Sequence, residues 1–204
     1  MPDPQPTQRQ VLADAHERVT AHLSLARAVL PDLTDAELNF KPSPKAWSVA
    51  EVLSHLLHSM HAYYDKMDPA VRSASESKTH LDKPYRTGFI GGQLIKAVKN
   101  HGRKVPAPKL FKPNKDKGGA TRSNYTFRIV DNYLAELESL IDRLDSYEHY
   151  DLESTRFPNP LTKLIRMKLG DAVILHPAHL ERHWAQIERT IAKAEAAAAQ
   201  AGNG

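Results

Sequence analysis

Apolar residues recur at intervals of three and four along four long stretches of the chain, the spacing that lines one face of an α-helix. In the first, about 7–30, Leu12, Ala15, Val19, Leu23, Ala26 and Leu30 form the stripe, and Pro31 ends it. The second has an unusually sharp start. Ser48 and Glu51 make a capping box, and Trp47 can pack on Val52 as a hydrophobic staple. Val52, Leu53, Leu56, Leu57 and Met60 follow, and the helix should stop near Met67, before Pro69. The third, about 126–144, carries the cleanest stripe, through Val130, Tyr133, Leu134, Leu137, Leu140, Ile141 and Leu144. The fourth, about 171–196, uses Leu180, Trp184, Ile187 and Ile191. Pro177 should kink this helix or mark its true start.

Between the second and third stretches lies a long connection with a short helical piece at about 91–100. The run KVPAPKLFKPNKDKGG follows, whose prolines favour extended backbone. A structureless stretch of this length inside a compact domain is often functional. The alanine-rich tail, 194–204, should fray. No strand pattern and no internal repeat stands out, so the chain reads as a single all-α domain over 1–204.

Composition narrows the chemistry. There is no cysteine among the 204 residues, which removes disulfides, thiol nucleophiles and thiolate ligands together. Any metal must be held by nitrogen and oxygen. No apolar run reaches the ~18 residues of a membrane span. The opening MPDPQPTQRQ lacks a secretory layout, and a cytoplasmic location is expected. The formal net charge is +4. From Lys96 to Arg128 ten bases face one acid, Asp116, so this segment carries +9 and the rest of the chain −5. With Phe111, Tyr125 and Phe127 it could cradle nucleic acid or an anionic ligand, or simply be a solvated loop. An anionic small-molecule substrate is the expectation retained, and nucleic acid is not.

Histidine is the residue that carries candidate chemistry. WSVAEVLSH places His55 two turns into the second helix, and HLERHWAQ sets His179 and His183 four apart on the last. Residues four apart share a helix face. Two imidazoles there can grip one ion, and a third from a facing helix would complete a site with an open position, as in catalytic zinc centres. The spacing equally suits a histidine-rich helix whose rings fill polar gaps at the core edge. It does not suit a zinc protease. HExxH needs glutamate directly after the first histidine, where Leu180 stands, and Glu181 lies about 200° round the helix from His179, facing away. His58 and His61 rotate away from His55, and His22 on the first stripe reads as a satisfied buried histidine. His176, one turn before His179, becomes a substitute ligand if Pro177 distorts the helix. Gln186 could orient a metal-bound water or make a core-edge hydrogen bond.

The phrases WSVAEVLSH and HLERHWAQIER, with KVPAPKLFKP and NPLTKLIRMKLGDA between them, resemble the DinB-like superfamily, which includes YfiT-type metal-dependent proteins. The resemblance spans roughly 8–192. It implies a four-helix bundle with an up-down-down-up path, a long connection between the second and third long helices, and a homodimer. It also implies a divalent ion held by His55, His179 and His183.

Zinc or nickel follows from the resemblance and from the imidazole ligands. A water on such an ion is acidified toward neutrality, so metal-dependent hydrolysis of a small-molecule amide or ester is the first expectation. A thiol-containing substrate could use the same open position, making thiol S-transfer the alternative. A non-catalytic metal-binding or dimeric module is the third. Neutral histidines are required, so metal should leave as pH falls below about 6.

Overall fold

The four long helices all form. The computed structural model describes residues 5–100, 106–113 and 122–202. The long helices are α1 (Gln8–Val29), α3 (Val49–Arg72), α5 (Arg128–Ser146) and α6 (Leu169–Gly202), joined by shorter α2 (Asp35–Asn39) and α4 (Phe89–Lys99). α1 packs on α5 and α6, α3 packs on the same two, and α4 lies along α6. Among the described residues no helix is long and apolar enough to cross a membrane.

Local signals explain the starts. Thr7 caps α1 in a box with Gln10, and Thr34 caps α2 in a box with Glu37. Ser48 caps α3, accepting from the Glu51 N–H at 3.1 Å while the Glu51 carboxylate accepts from the Ser48 N–H at 2.9 Å. Ser48→Ala should cost about 1 kcal/mol, the usual worth of a cap. A denaturant midpoint indistinguishable from wild type would show that the rest of the box suffices.

Four sequence expectations need correction. A two-stranded antiparallel hairpin, β1 (Arg156–Asn159) and β2 (Thr162–Lys168), replaces the loop expected before α6. Pro158 and Pro160 hid it, because proline argues against a strand. Phe157 and Met167, paired across the ladder and both buried, supply the missing drive. The Asn159 side chain closes the turn by accepting from the N–H groups of Leu161 and Thr162.

Secondly, α3 runs through Pro69 to Arg72. Pro69 and Asp65, four residues earlier, are both exposed, so water can satisfy the carbonyl that the proline leaves free. Thirdly, α6 is continuous through Pro177 and does not start there. Val173, Leu180, Trp184 and Ile187 are all buried around it, and this packing outweighs the roughly 3 kcal/mol helix penalty of proline. Its first N–H groups are met by neighbouring loops, Leu169 donating to the Thr155 carbonyl and Gly170 to that of Leu152. Fourthly, the tail is helical as far as Gly202, which accords with alanine's high helix propensity.

A close approach seats α4 on α6. A Cβ on Gly91 would fall 2.2 Å from Cγ of Asp171, which is buried and accepts from the Tyr85 hydroxyl at 2.7 Å and the Gly88 N–H at 2.9 Å. Gly91→Ala should therefore destabilise the protein by about 1–3 kcal/mol, as overpacking does. An unchanged denaturation midpoint would mean that α4 lifts off α6 freely.

Candidate metal centre

The site is built from two helix phases. The Ser48 cap fixes where α3 begins, and seven residues later the side chain of His55 faces α6. On α6 the four-residue spacing stacks His179 and His183 on the face toward α3. The three rings meet there. His55 Nε2 lies 3.3 Å from His179 Nε2 and 3.1 Å from His183 Nε2, and one ring nitrogen from each histidine falls within 4.8 Å of the others. His55 and His183 are buried, while His179 is partly exposed.

Hydrogen bonds at the far side of the rings fix their tautomers. His55 Nδ1–H donates to the Phe111 carbonyl at 2.6 Å, and His183 Nδ1–H donates to Gln186 Oε1 at 3.1 Å. Each bond leaves the lone pair on Nε2, aimed inward. Two facing lone pairs at 3.1 Å cannot hydrogen-bond to one another. A cation between them resolves the conflict. Tetrahedral zinc, with Zn–N distances near 2.05 Å, sets its ligand nitrogens about 3.3 Å apart. The two separations from His55 match that edge, and the three-histidine group can hold a metal ion.

Electrostatics point the same way. Burial holds the His55 imidazole below its ordinary pKa, against a smaller opposing pull from the Phe111 carbonyl. His179 is pushed well down by burial and then by His183 and His55. His183 is pushed down to about 3 by burial and then by His55. All three rings are therefore neutral at physiological pH, the form that binds metal.

The other candidates find different partners. His176 stays outside the group, so it replaces no ligand. Its ring packs 5.3 Å from Tyr63 and 5.8 Å from Tyr64, and its Nε2 has no hydrogen-bond partner among the described residues. Because α6 is continuous through Pro177, His179 and His183 keep the register that the spacing requires. His22 is the buried, satisfied histidine expected, bonded through Nε2 to the Tyr133 hydroxyl at 2.7 Å. His61 pairs with Glu136, and His58 bonds the Lys112 carbonyl. Glu181 faces away and is held by both nitrogens of an Arg18 fork. Glu51 is occupied by its cap and by Lys41.

A cleft of about 950 Å³ opens above the three rings. Trp47 forms part of its wall, 5.0 Å from the His55 ring and stacked 6.5 Å from that of His183. Five cations line the cleft, and among its described lining residues none is acidic. Phe111, which sequence reasoning placed only among basic-segment aromatics, anchors the long connection here. A large apolar residue isolated between lysines and prolines was the available signal, and its burial brings the carbonyl onto His55. Phe111 packs into the core and Tyr125 against it. Arg103, Lys104, Lys115 and Lys117 of the basic segment lie outside the described residues.

A family model described as the DinB superfamily matches residues 18–187. Comparison with curated proteins and comparison with solved structures each give no match. The matched span takes in His55, His179 and His183 together with most of the four long helices, well over half of the sequence, and the chain belongs to the DinB superfamily.

Proposed function

We propose that this protein binds a divalent ion, zinc or nickel, through His55, His179 and His183 and hydrolyses an ester or amide of a small molecule. The observation that carries the reading is the inward-facing imidazole triad at the floor of an open cleft. Three nitrogen ligands leave a coordination position for substrate, which structural zinc sites do not. The all-imidazole donor set suits zinc or nickel. When bound, such an ion supplies a Lewis acid and a source of nucleophile near neutral pH.

The chain's own groups have definable tasks. The Phe111 carbonyl and Gln186 hold two rings in the ligating tautomer. Trp47 and the surrounding apolar wall exclude bulk water from one side of the triad. No carboxylate lies in the cleft among the described residues to protonate a poor leaving group. This favours esters over unactivated amides.

The same observation supports a second reading, transfer to or from a small-molecule thiol. Cationic surroundings lower a thiol's pKa without a separate base. One experiment separates the two. Metal-free protein is reconstituted with zinc or nickel and offered a panel of small esters and amides, then low-molecular-weight thiols with an electrophile. Hydrolysis that chelation removes and metal restores supports the first reading. Thiol consumption without hydrolysis replaces it with the second, and failure to take up metal rejects both.

A further inference from the structure

The face of α6 that carries His179 and His183 continues along the cleft as a basic stripe. Gln186, Arg189, Thr190 and Lys193 all line the cleft beyond the histidines. Arg189 and Lys193 are six and ten residues past His183, hence about 9 and 15 Å farther along the helix axis. Lys45 also lines the cleft. It precedes by two residues Trp47, whose ring stacks on His183.

Several cations elsewhere on the surface have an acidic partner. Arg9, Arg18, Arg27 and Arg122 are each matched to a carboxylate. Lys45, Arg189 and Lys193 are exposed and have no ion pair among the described residues. The whole chain holds 28 bases and 24 acids, so a lining with five cations and no acid departs from its own balance. Like charges gathered in one concavity repel one another and focus a positive potential, which an anionic ligand relieves. The remaining walls are largely apolar, with Leu94, Val98, Pro108 and Leu175 among them.

We propose that the cleft takes an elongated small molecule whose carboxylate is held by Arg189 and Lys193 while its reacting end reaches the three histidines across an apolar spacer. This rests on the metal-dependent reading above for the reacting end only. Arg189 and Lys193 are then specificity-determining residues that set substrate length, with the acid roughly 9–15 Å from the triad.

The probes are suberic acid monohydroxamate and the same compound with its carboxylate converted to a primary amide. The hydroxamate serves as metal ligand, and the far ends differ only in charge. Calorimetry on zinc-reconstituted protein should show the carboxylate form binding about tenfold tighter, as two partly exposed charged contacts would give. High salt should shrink the difference. The double variant R189Q/K193Q should abolish it while zinc content stays at the wild-type level.

Equal affinity of the two forms for wild-type protein overturns the inference and leaves the metal reading standing. If neither zinc nor nickel binds, the metal reading fails, and a second arm decides the inference. Octanoate and octanamide are then titrated into metal-free protein by calorimetry. A preference for octanoate that R189Q/K193Q removes supports carboxylate recognition. No preference, or one that survives the double variant, overturns it.

Discussion

Replacing His183 by alanine is expected to strip the bound divalent ion from the protein while helix content stays at the wild-type level. The ring supplies one of three inward Nε2 atoms and sits 3.1 Å from the Nε2 of His55. Its removal leaves two imidazoles and an open side toward the cleft. Loss of a partner that merely orients a ligand costs 10–100-fold in affinity, so loss of the ligand itself should exceed about a hundredfold. Gln186→Ala should fall between wild type and H183A, because it frees His183 Nδ1 without removing the ring. The fold should tolerate both changes. α6 is held by Leu180, Trp184 and Ile187, and removing His183 also removes a pair of opposed lone pairs. Metal content of tag-free protein, measured beside circular dichroism, tests the series. Stoichiometric metal in H183A would reject the assignment, and a flat ranking of Q186A with wild type would reject the orienting role.

Much of this centre was legible before any coordinates, for physical reasons that are local. The Ser48–Glu51 box sets the phase of α3, and four-residue spacing sets the phase of His179 and His183. Both follow from short-range geometry. What stayed hidden depended on contacts distant in sequence. The Phe111 carbonyl meets His55 from 56 residues away, and only the folded chain brings them together. Pro177 read locally as a kink or a helix start, yet buried neighbours on both sides carry a continuous α6 through it. The hairpin was masked by two prolines, although Phe157 and Met167 secure it by burial across the ladder. The absence of acid from the cleft lining likewise belongs to no single segment, since the cations come from the turn before α3, the long connection and α6.

Metal-free protein should lose stability steeply between pH 6.5 and pH 4, and two histidines outside the triad should account for much of the loss. Burial pushes His22 down to about 4, with a smaller opposing pull from Glu181, and His176 is pushed down to about 4 by burial and then by Arg143. In the unfolded chain both titrate near the ordinary value of 6.5. As pH falls through that value the unfolded state takes up protons that the folded state refuses, so the unfolded state gains. Their contribution is intact above pH 6.5 and is forfeited progressively down to about pH 4. Each ring costs about 2 kcal/mol by pH 5 and about 3 kcal/mol by pH 4. Together these approach the 5–15 kcal/mol that typically holds a domain together. Denaturant melts of wild type, His22→Gln and His176→Leu at pH 7 and pH 5 read the effect as a slope. His22→Gln should start lower at pH 7, since it disturbs the bond to Tyr133, and then lose less on acidification. His176→Leu, which removes a buried nitrogen without a partner, should be the more stable protein at pH 5. Wild-type slopes in both variants would reject the linkage. The metal inherits this limit. With His183 pushed down to about 3, protons compete weakly for the triad near pH 6, so the release of metal expected there moves to lower pH and follows the unfolding that His22 and His176 set in motion.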